Sequence, residues 1–129
     1  MNDREYHKER RKQRRVEQLP PGAACIICGE SDPCCLQWHH VAGVAFGDDK
    51  VIVCQNHHSR LSDKQKDHPP TLAAAPTRSE CAGRLLLGIT DLMELLRNPP
   101  EVIELVRRTG LDFIERGQLF NHPDDGDEP

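Results

Sequence analysis

The sequence predicts an α+β fold, in which a short strand–strand–helix core lies between an N-terminal basic helix or arm and a C-terminal α-helical segment. Three observations support this fold class. Cysteines and histidines are concentrated between residues 25 and 58, at spacings that suit a metal site. Two β-branched runs within that stretch flank a turn. Beyond residue 78, apolar residues recur at three- and four-residue steps, as on one face of a helix.

Changes in composition divide the chain into five stretches. The first 18 residues carry seven Lys/Arg against four Asp/Glu and consist of good helix formers without an apolar stripe. They therefore predict an exposed helix or arm, which the Pro20–Pro21 pair ends. The predicted stretches are a basic arm (1–22), a cysteine- and histidine-rich core that is expected to bind metal (23–68), a linker (69–78), a helical segment (79–120) and a disordered acidic tail (121–129).

Local patterns predict the elements of the core. Residues 41–46 and 50–53 supply the β-branched and apolar side chains of two strands, and residues 47–49 supply the turn between them. Residues 56–66 can then form a helix.

The segment after the linker is predicted to be helical. Ser79 is expected to cap a helix that runs to about residue 97, and Pro99–Pro100 breaks it. A second helix over 101–108 is expected to stop at Gly110, before a short turn over 111–116. These amphipathic helices most simply pack on each other or on the core, and a homodimer through them is the alternative.

Composition limits the function classes. At 129 residues, with 36% apolar and 4% aromatic residues, the chain can form only a small hydrophobic core and is expected to need a stabilising crosslink, such as a bound metal ion. The polar first 15 residues contain no secretory signal, which favours a cytoplasmic protein whose six cysteines stay reduced and bind metal. No apolar run approaches the length of about 20 residues that spans a membrane. The pI of about 5.9 gives no general attraction to nucleic acid, but the basic arm can bind phosphate locally.

Two pairs of potential ligands share the same two-residue gap. Cys25 and Cys28 form one pair, and Cys54 and His57 form the other, so together they predict a closed Cys₃His structural zinc site. A Cys₂His₂ finger does not fit, because only ten residues separate Cys28 from the first histidine, where that finger needs about twelve. Participation of Cys34–Cys35 is disfavoured, because adjacent cysteines seldom direct both sulfurs at one ion. Cys34, Cys35 and Cys81 are predicted to be small buried or half-exposed thiols.

Three histidines then remain near the predicted zinc site. His39 and His40 are adjacent on a strand, so their side chains must point to opposite faces and serve different roles. His58 directly follows a predicted zinc ligand. A pair of half-buried histidines that supports an inactive zinc module is the structural alternative. His7, His68 and His122 have no partner pattern and are predicted to lie on the surface.

The order of these motifs, C-x₂-C, then His-His, then C-x₂-His-His, resembles the HNH endonucleases, the ββα-metal nucleases with a zinc knuckle. The resemblance covers residues 25–67 and implies a core of that fold. It implies that His39 and His58 bind a catalytic Mg²⁺ or Mn²⁺ and that His40 is the general base. Asp49 stands where the family has its middle Asn, which helps hold the histidine-bearing loop. Ser62 stands where colicin-like relatives have one more metal-binding histidine, so water and phosphate oxygens are expected to complete the coordination.

The resemblance also implies DNA, most simply double-stranded DNA, as the substrate. Arg60 and Lys64 on the core helix, with Arg11, Arg14 and Arg15 in the arm, are the expected phosphate contacts. A solvated helix face explains Arg60 and Lys64 equally well. Two other function classes stay open: a non-catalytic zinc-stabilised module that binds nucleic acid, and a zinc-stabilised protein-interaction domain.

Overall fold

The computed structural model describes residues 1–72 and 75–120, apart from the side chains of Arg15 and Phe120. The acidic tail, with its predicted disorder, and His122 lie outside the described residues. The fold class is confirmed as α+β, with one two-stranded sheet among the described residues. The elements, in chain order, are α1 (Asp3–Gln18), a 3₁₀ turn (Pro33–Cys35), β1 (Leu36–His40), β2 (Lys50–Cys54), α2 (Gln55–Gln65), α3 (Arg78–Leu95) and α4 (Pro100–Phe120).

The N-terminal stretch forms the exposed helix that its composition predicts. A capping box begins α1: the Asn2 side chain accepts from the Glu5 amide at 2.8 Å, and the Glu5 carboxylate accepts from the Asn2 amide at 3.3 Å. The described side chains of α1 are all exposed. Near its end, the Trp38 indole N–H donates to the Gln18 carbonyl at 3.4 Å. The capping box and the acidic first turn, rather than burial, are therefore the stabilising features seen in this helix.

The sheet is antiparallel, and one of its predicted strands is misplaced. β2 forms where the sequence predicts it, but its partner is Leu36–His40, and residues 41–49 connect the two strands. Val41 and Ala42 are each 4% exposed, so their apolar side chains are used in packing rather than in strand pairing. The Val41 amide donates to the Asp49 carbonyl at 2.9 Å and closes this loop. Tertiary burial thus overrides the β propensity of residues 41–46.

The C-terminal segment is a hairpin of two long helices, and two predicted details of it are wrong. Thr77, not Ser79, caps α3, because its hydroxyl accepts from the Glu80 amide at 3.1 Å. The Ser79 hydroxyl instead donates to a carbonyl of α4. Gly110 does not end a helix, since α4 runs through it. A methyl group on Gly83 would lie 2.5 Å from the Gly110 carbonyl oxygen, so both glycines permit the close crossing of α3 and α4.

Helix α3 packs against the core as well as against α4. A methyl group on Gly88 would overlap the Val41 carbonyl, so α3 lies directly against the chain that leaves β1. Leu92 belongs to the same buried cluster as Val41, Val53 and Leu61. Because α3 is covered on two sides, its buried residues include the polar Thr90 and Asp91. Two of the apolar residues that recur at helical spacing and are therefore predicted to face the core, Ala82 and Leu96, are instead exposed.

Arg84 links the helical hairpin to the loop and the linker. It is 2% exposed, donates to the carbonyls of Pro69 and Pro70, and pairs with Glu80 at 3.1 Å. Its guanidinium lies 4.7 Å from the centre of the Phe46 ring. These contacts fix α3 relative to the strands. No helix within residues 1–72 and 75–120 is long and apolar enough to cross a membrane.

Candidate metal centres

Four ligand atoms converge where the knuckle, the end of β2 and the start of α2 meet. The sulfurs of Cys25, Cys28 and Cys54 and Nδ1 of His57 all lie within 4.8 Å of one another. The Cys28 and Cys54 sulfurs are 3.9 Å apart, and His57 Nδ1 lies 3.5 Å from the Cys25 sulfur and 3.2 Å from the Cys54 sulfur. Tetrahedral zinc with bonds of about 2.3 Å to sulfur and about 2.0 Å to nitrogen requires separations of about 3.8 and 3.5 Å. The predicted Cys₃His cluster is therefore present and can hold a zinc ion.

Local backbone structure positions these ligands. The Gly29 amide donates to the Cys25 carbonyl at 2.9 Å, and Gly29 has a φ of 80°, which favours glycine and lets the knuckle turn tightly. The Ile26 amide donates to the Ile52 carbonyl at 3.0 Å and joins the knuckle to β2. Cys54 is the N-cap of α2, so the beginning of the helix determines where His57 points.

The electrostatics of the cluster favour a bound cation. Burial alone raises the pKa of Cys25, but the amides of Cys28, Cys54 and Ile27, followed by His57, outweigh it and lower this pKa to about 6. At Cys28 the Glu30 amide lowers the pKa, but desolvation and the sulfurs of Cys25 and Cys54 outweigh it and raise the pKa. Deprotonation of one cysteine thiol therefore makes deprotonation of the neighbouring thiol less favourable. A divalent cation removes this conflict by neutralising the thiolates.

The remaining cysteines are not part of this cluster. Cys34 is exposed, and Cys35 and Cys81 are half-buried. Asp32 caps the 3₁₀ turn that carries Cys34 and Cys35, and its carboxylate accepts a hydrogen bond from the Cys34 amide at 3.0 Å. Among the described residues, the Cys₃His set is the one group of three or more His, Cys, Asp or Glu side chains whose ligand atoms lie close enough together to hold one ion. The disfavoured zinc site built on Cys34–Cys35 does not form.

His39 and His58 meet next to the zinc cluster. Their ring centres are 5.6 Å apart and their planes are inclined at 87°. His39 is 3% exposed, and its Nε2 atom is buried with no hydrogen-bond partner among the described residues. Burial first, and then the nearby His58, lower the pKa of His39 to about 4, so its imidazole is neutral at pH 7. A neutral imidazole with an unsatisfied ring nitrogen fits the donor that a divalent cation needs.

His40 lies apart from this pair. It is the last residue of β1 and is paired with Lys50, whose ammonium lies 4.9 Å from the centre of the Trp38 ring. Strand alternation gives His40 the face that Trp38 and Lys50 share, opposite His39. The His40 carbonyl accepts from the Gln65 side chain at 3.0 Å. The structure therefore brings together two of the three predicted histidines and places the third at the end of the same strand.

Asp49 has a backbone role in the loop that follows His40. Its side chain is exposed, and its carbonyl accepts the Val41 amide at 2.9 Å, one residue after His40. This bond closes the nine-residue connection between β1 and β2 at its two ends. Because this bond uses the backbone of residue 49, the role that the resemblance implies for the Asp49 side chain stays a prediction.

The side chains that are predicted to contact phosphate differ in their exposure to solvent and in whether they are paired with an acidic residue. Arg11 and Arg14 are exposed on α1, and Arg60 is exposed on α2. The side chain of Arg15 lies outside the described part of the chain. Lys64 has its ammonium 2.5 Å from the Glu94 carboxylate, which offsets its charge. The structure thus leaves three of these five arginine and lysine side chains facing solvent.

A largely buried His–Asp pair is a feature that sequence reasoning misses. His68 is predicted to be a surface residue, and this is wrong: its Nε2 lies 2.8 Å from Oδ2 of Asp91, and the two side chains are 11% and 10% exposed. Both residues line a cleft of about 310 Å³ between the end of α2 and the helical hairpin. The available signal was Asp91 itself, an acidic residue between Ile89 and Leu92 on an otherwise apolar stretch.

Comparison with known proteins adds no family assignment. Neither a protein-family model, nor a curated protein, nor a solved structure matches this chain. The functional argument therefore depends on two features of the structure. One is a Cys₃His cluster that suits zinc, and the other is a pair of histidines with a buried, unsatisfied ring nitrogen.

Proposed function

We propose that this protein is a metal-dependent endonuclease of the HNH type that hydrolyses DNA phosphodiester bonds. The observation that supports the proposal is the contact of His39 with His58, next to the Cys₃His cluster and on a β1–β2–α2 unit. An inactive zinc module has no need for a buried imidazole whose Nε2 lacks a partner, because leaving such a group unsatisfied costs about 1–3 kcal/mol.

The residues of this unit divide the chemistry between them. His39 and His58 would hold Mg²⁺ or Mn²⁺, which when bound supplies Lewis-acid stabilisation of the charge on the scissile phosphate. His39 is neutral at pH 7 and so keeps a lone pair for this role. His40 would accept the proton of the attacking water, a task that suits an imidazole near neutral pH. The hydrogen bonds from Gln65 to the His40 carbonyl and from Val41 to Asp49 hold the backbone on which His40 is carried.

The two metals have separate purposes in this proposal. Three thiolates and one imidazole suit zinc and leave no open position, so that site is structural. It joins the knuckle, β2 and α2, and thereby fixes His58, which directly follows the ligand His57. At the second site, water and phosphate oxygens would complete the coordination beside the two imidazoles; these oxygen ligands suit Mg²⁺ or Mn²⁺ and leave positions for substrate.

Helix α1 supplies a phosphate-binding surface. At 100° per residue its seven Lys/Arg positions fall within about 200° of the helix circumference. Three of the four acidic residues, Glu5, Glu9 and Glu17, fall on the remainder, and Asp3, in the first turn, falls on the basic side. The exposed Arg11 and Arg14 belong to this basic side. Segregated positive charge on an exposed helix attracts the DNA backbone even though the chain carries a net charge of −4.

Plasmid cleavage tests the proposal. The zinc-loaded protein should nick or cut plasmid DNA when Mg²⁺ or Mn²⁺ is added, and His40→Ala should reduce the rate by roughly 10²- to 10⁴-fold without loss of zinc. Glu101→Ala is the control, because it removes an exposed side chain at the start of α4, where no DNA contact is predicted. A His40→Ala protein that cuts as fast as the parent overturns the general-base assignment. A parent protein that cuts no DNA with either metal overturns the function.

One observation favours a second candidate, a non-catalytic zinc-stabilised module that binds nucleic acid. Strand alternation assigns His40 to the face of Trp38 and Lys50, away from His39. That face carries an aromatic ring and a cation, which can contact nucleic acid without chemistry. A protein of this kind would bind DNA through α1 and leave it intact in every divalent metal.

A further inference from the structure

The sheet face that carries His40 also carries an exposed cation. Lys50 is the cross-strand partner of His40, so the two side chains leave the sheet on the same face, with their Cβ atoms about 5 Å apart. Lys50 is exposed, and it takes part in none of the ion pairs among the described residues, although Asp48 and Asp49 precede it in the loop. Its positive charge therefore remains available to a ligand beside the predicted general base.

Trp38 restrains the position of this ammonium group. Because Trp38 pairs with Ile52, it is the diagonal neighbour of Lys50 on the same face of the sheet. The ammonium lies 4.9 Å from the centre of the Trp38 ring, and the face of an indole attracts a cation at this distance. A lysine side chain held in this way loses less freedom when it binds an anion, and its N–H donors stay available.

The basic side of α1 reaches the same place. Arg11, Arg14 and Gln18 follow one another at three- and four-residue steps, so they share one side of the helix. The Gln18 carbonyl accepts from the Trp38 indole at 3.4 Å, and both residues line a groove of about 250 Å³ between the end of α1 and β1. The positive charge of α1 is therefore continuous with the sheet face that carries Trp38 and Lys50.

We propose that Lys50 binds the phosphate next to the scissile bond, and that the DNA backbone runs from the basic side of α1 across Trp38 to His40. Separated cations in a row match the successive phosphates of a nucleic-acid strand better than they match an isolated anion. The inference rests on the proposed function, since it takes His40 as the residue at the scissile phosphate. Lys50 is then a substrate-binding residue, and Trp38 is a positioning residue that acts through it.

Binding of the zinc-loaded protein to a short fluorescent DNA duplex, measured by anisotropy without added Mg²⁺ or Mn²⁺, tests this assignment apart from cleavage. Lys50→Gln should weaken binding by roughly three- to tenfold at low salt, and the slope of log affinity against log salt should become less steep by about 0.9, the contribution of one phosphate contact. Lys50→Arg should keep the slope of the parent, because it keeps the charge. Arg108→Gln is the matched control, since it removes an exposed cation on α4, away from this face.

Variants of Trp38 test the positioning role. Trp38→Leu should weaken DNA binding by roughly two- to fivefold, and Trp38→Phe by less, because a phenyl ring keeps an aromatic face for the ammonium. In the Lys50→Gln background, Trp38→Leu should have no further effect, because the ammonium that Trp38 positions is gone. Equal losses in the two backgrounds would show that Trp38 acts only through the structure of the sheet and would overturn its positioning role.

The outcomes separate this inference from the proposed function. A Lys50→Gln protein with the affinity and salt slope of the parent overturns the inference, as does a Lys50→Arg protein that binds no better than Lys50→Gln, or a parent that binds no DNA. A parent that cuts DNA equally fast after Lys50→Gln keeps the endonuclease and overturns the role of Lys50. A parent whose binding depends on Lys50 but which cuts no DNA refutes the endonuclease and supports DNA binding at this face.

Discussion

Mild acid should destabilise this protein through one buried histidine. In the folded protein, burial and the neighbouring His58 lower the pKa of His39 to about 4, from an ordinary value of 6.5 that applies to the unfolded chain. Between these two values the unfolded chain binds a proton that the folded protein does not. The free energy of unfolding therefore falls as the pH is lowered from 6.5 towards 4, and this contribution is absent above about pH 7.

The size of the effect follows from the two pKa values. At pH 5.5 the unfolded imidazole is one pH unit below its pKa and mostly protonated, while His39 in the folded protein stays neutral. One unit corresponds to about 1.4 kcal/mol, or about a tenfold change in the folding equilibrium. With a urea dependence of about 1–3 kcal/mol per molar, the midpoint should move by roughly 0.5 to 1.4 M.

Urea unfolding of the zinc-loaded parent and of His39→Gln, at pH 7 and pH 5.5, isolates this contribution. Acid also protonates the thiolates, but both proteins keep the Cys₃His cluster, so that part of the pH dependence cancels. The parent should lose about 1.4 kcal/mol more than His39→Gln between the two pH values. His7→Gln, on the exposed α1, should behave as the parent does. Equal losses in the parent and His39→Gln would show that His39 is not held neutral by burial.

Three further outcomes are expected. Gly88→Ala should lower the free energy of unfolding by about 1–3 kcal/mol, measured in urea, because the new methyl group overlaps the Val41 carbonyl; full stability would contradict the close packing of α3. Cys28→Ser should lose zinc and unfold, whereas Cys81→Ser should keep one zinc, as measured by metal analysis; a folded, zinc-free Cys28→Ser would disprove the structural role. Deletion of residues 1–18 should weaken DNA binding and flatten its salt dependence in a filter-binding titration, and an unchanged slope would argue against the arm.

Much of the fold and of the metal cluster was predictable because the signals are local. The two-residue gaps in Cys25–Cys28 and Cys54–His57 restrict each pair to one side of an ion, whatever the rest of the chain does. The composition of α1 and the capping residue Asn2 are likewise sufficient for a helix. The contact of His39 with His58 is less local: His58 directly follows the ligand His57, whereas His39 reaches it through the pairing of β1 with β2.

The errors occurred where distant parts of the chain meet. The apolar residues 41–46 resemble a strand, yet Val41 is buried against Gly88 of α3, which lies 47 positions further along the chain. Gly110 resembles a helix stop, yet its missing side chain serves the crossing with Gly83. In each case, the sequence shows that a residue is apolar or small, but it does not show which distant residue it contacts.

By itself, the sequence determined the α+β class, the exposed basic helix and the four residues of the Cys₃His cluster, because spacing and local propensity act over a few residues. Only the tertiary structure decided that His68 and Asp91 form a largely buried pair and that the buried His39 has an unsatisfied nitrogen. Burial and partnership depend on which surfaces meet after folding. The packing of α3 against the chain at the end of β1 therefore determines which side chains are buried and which partners they have, and neither segment determines this alone.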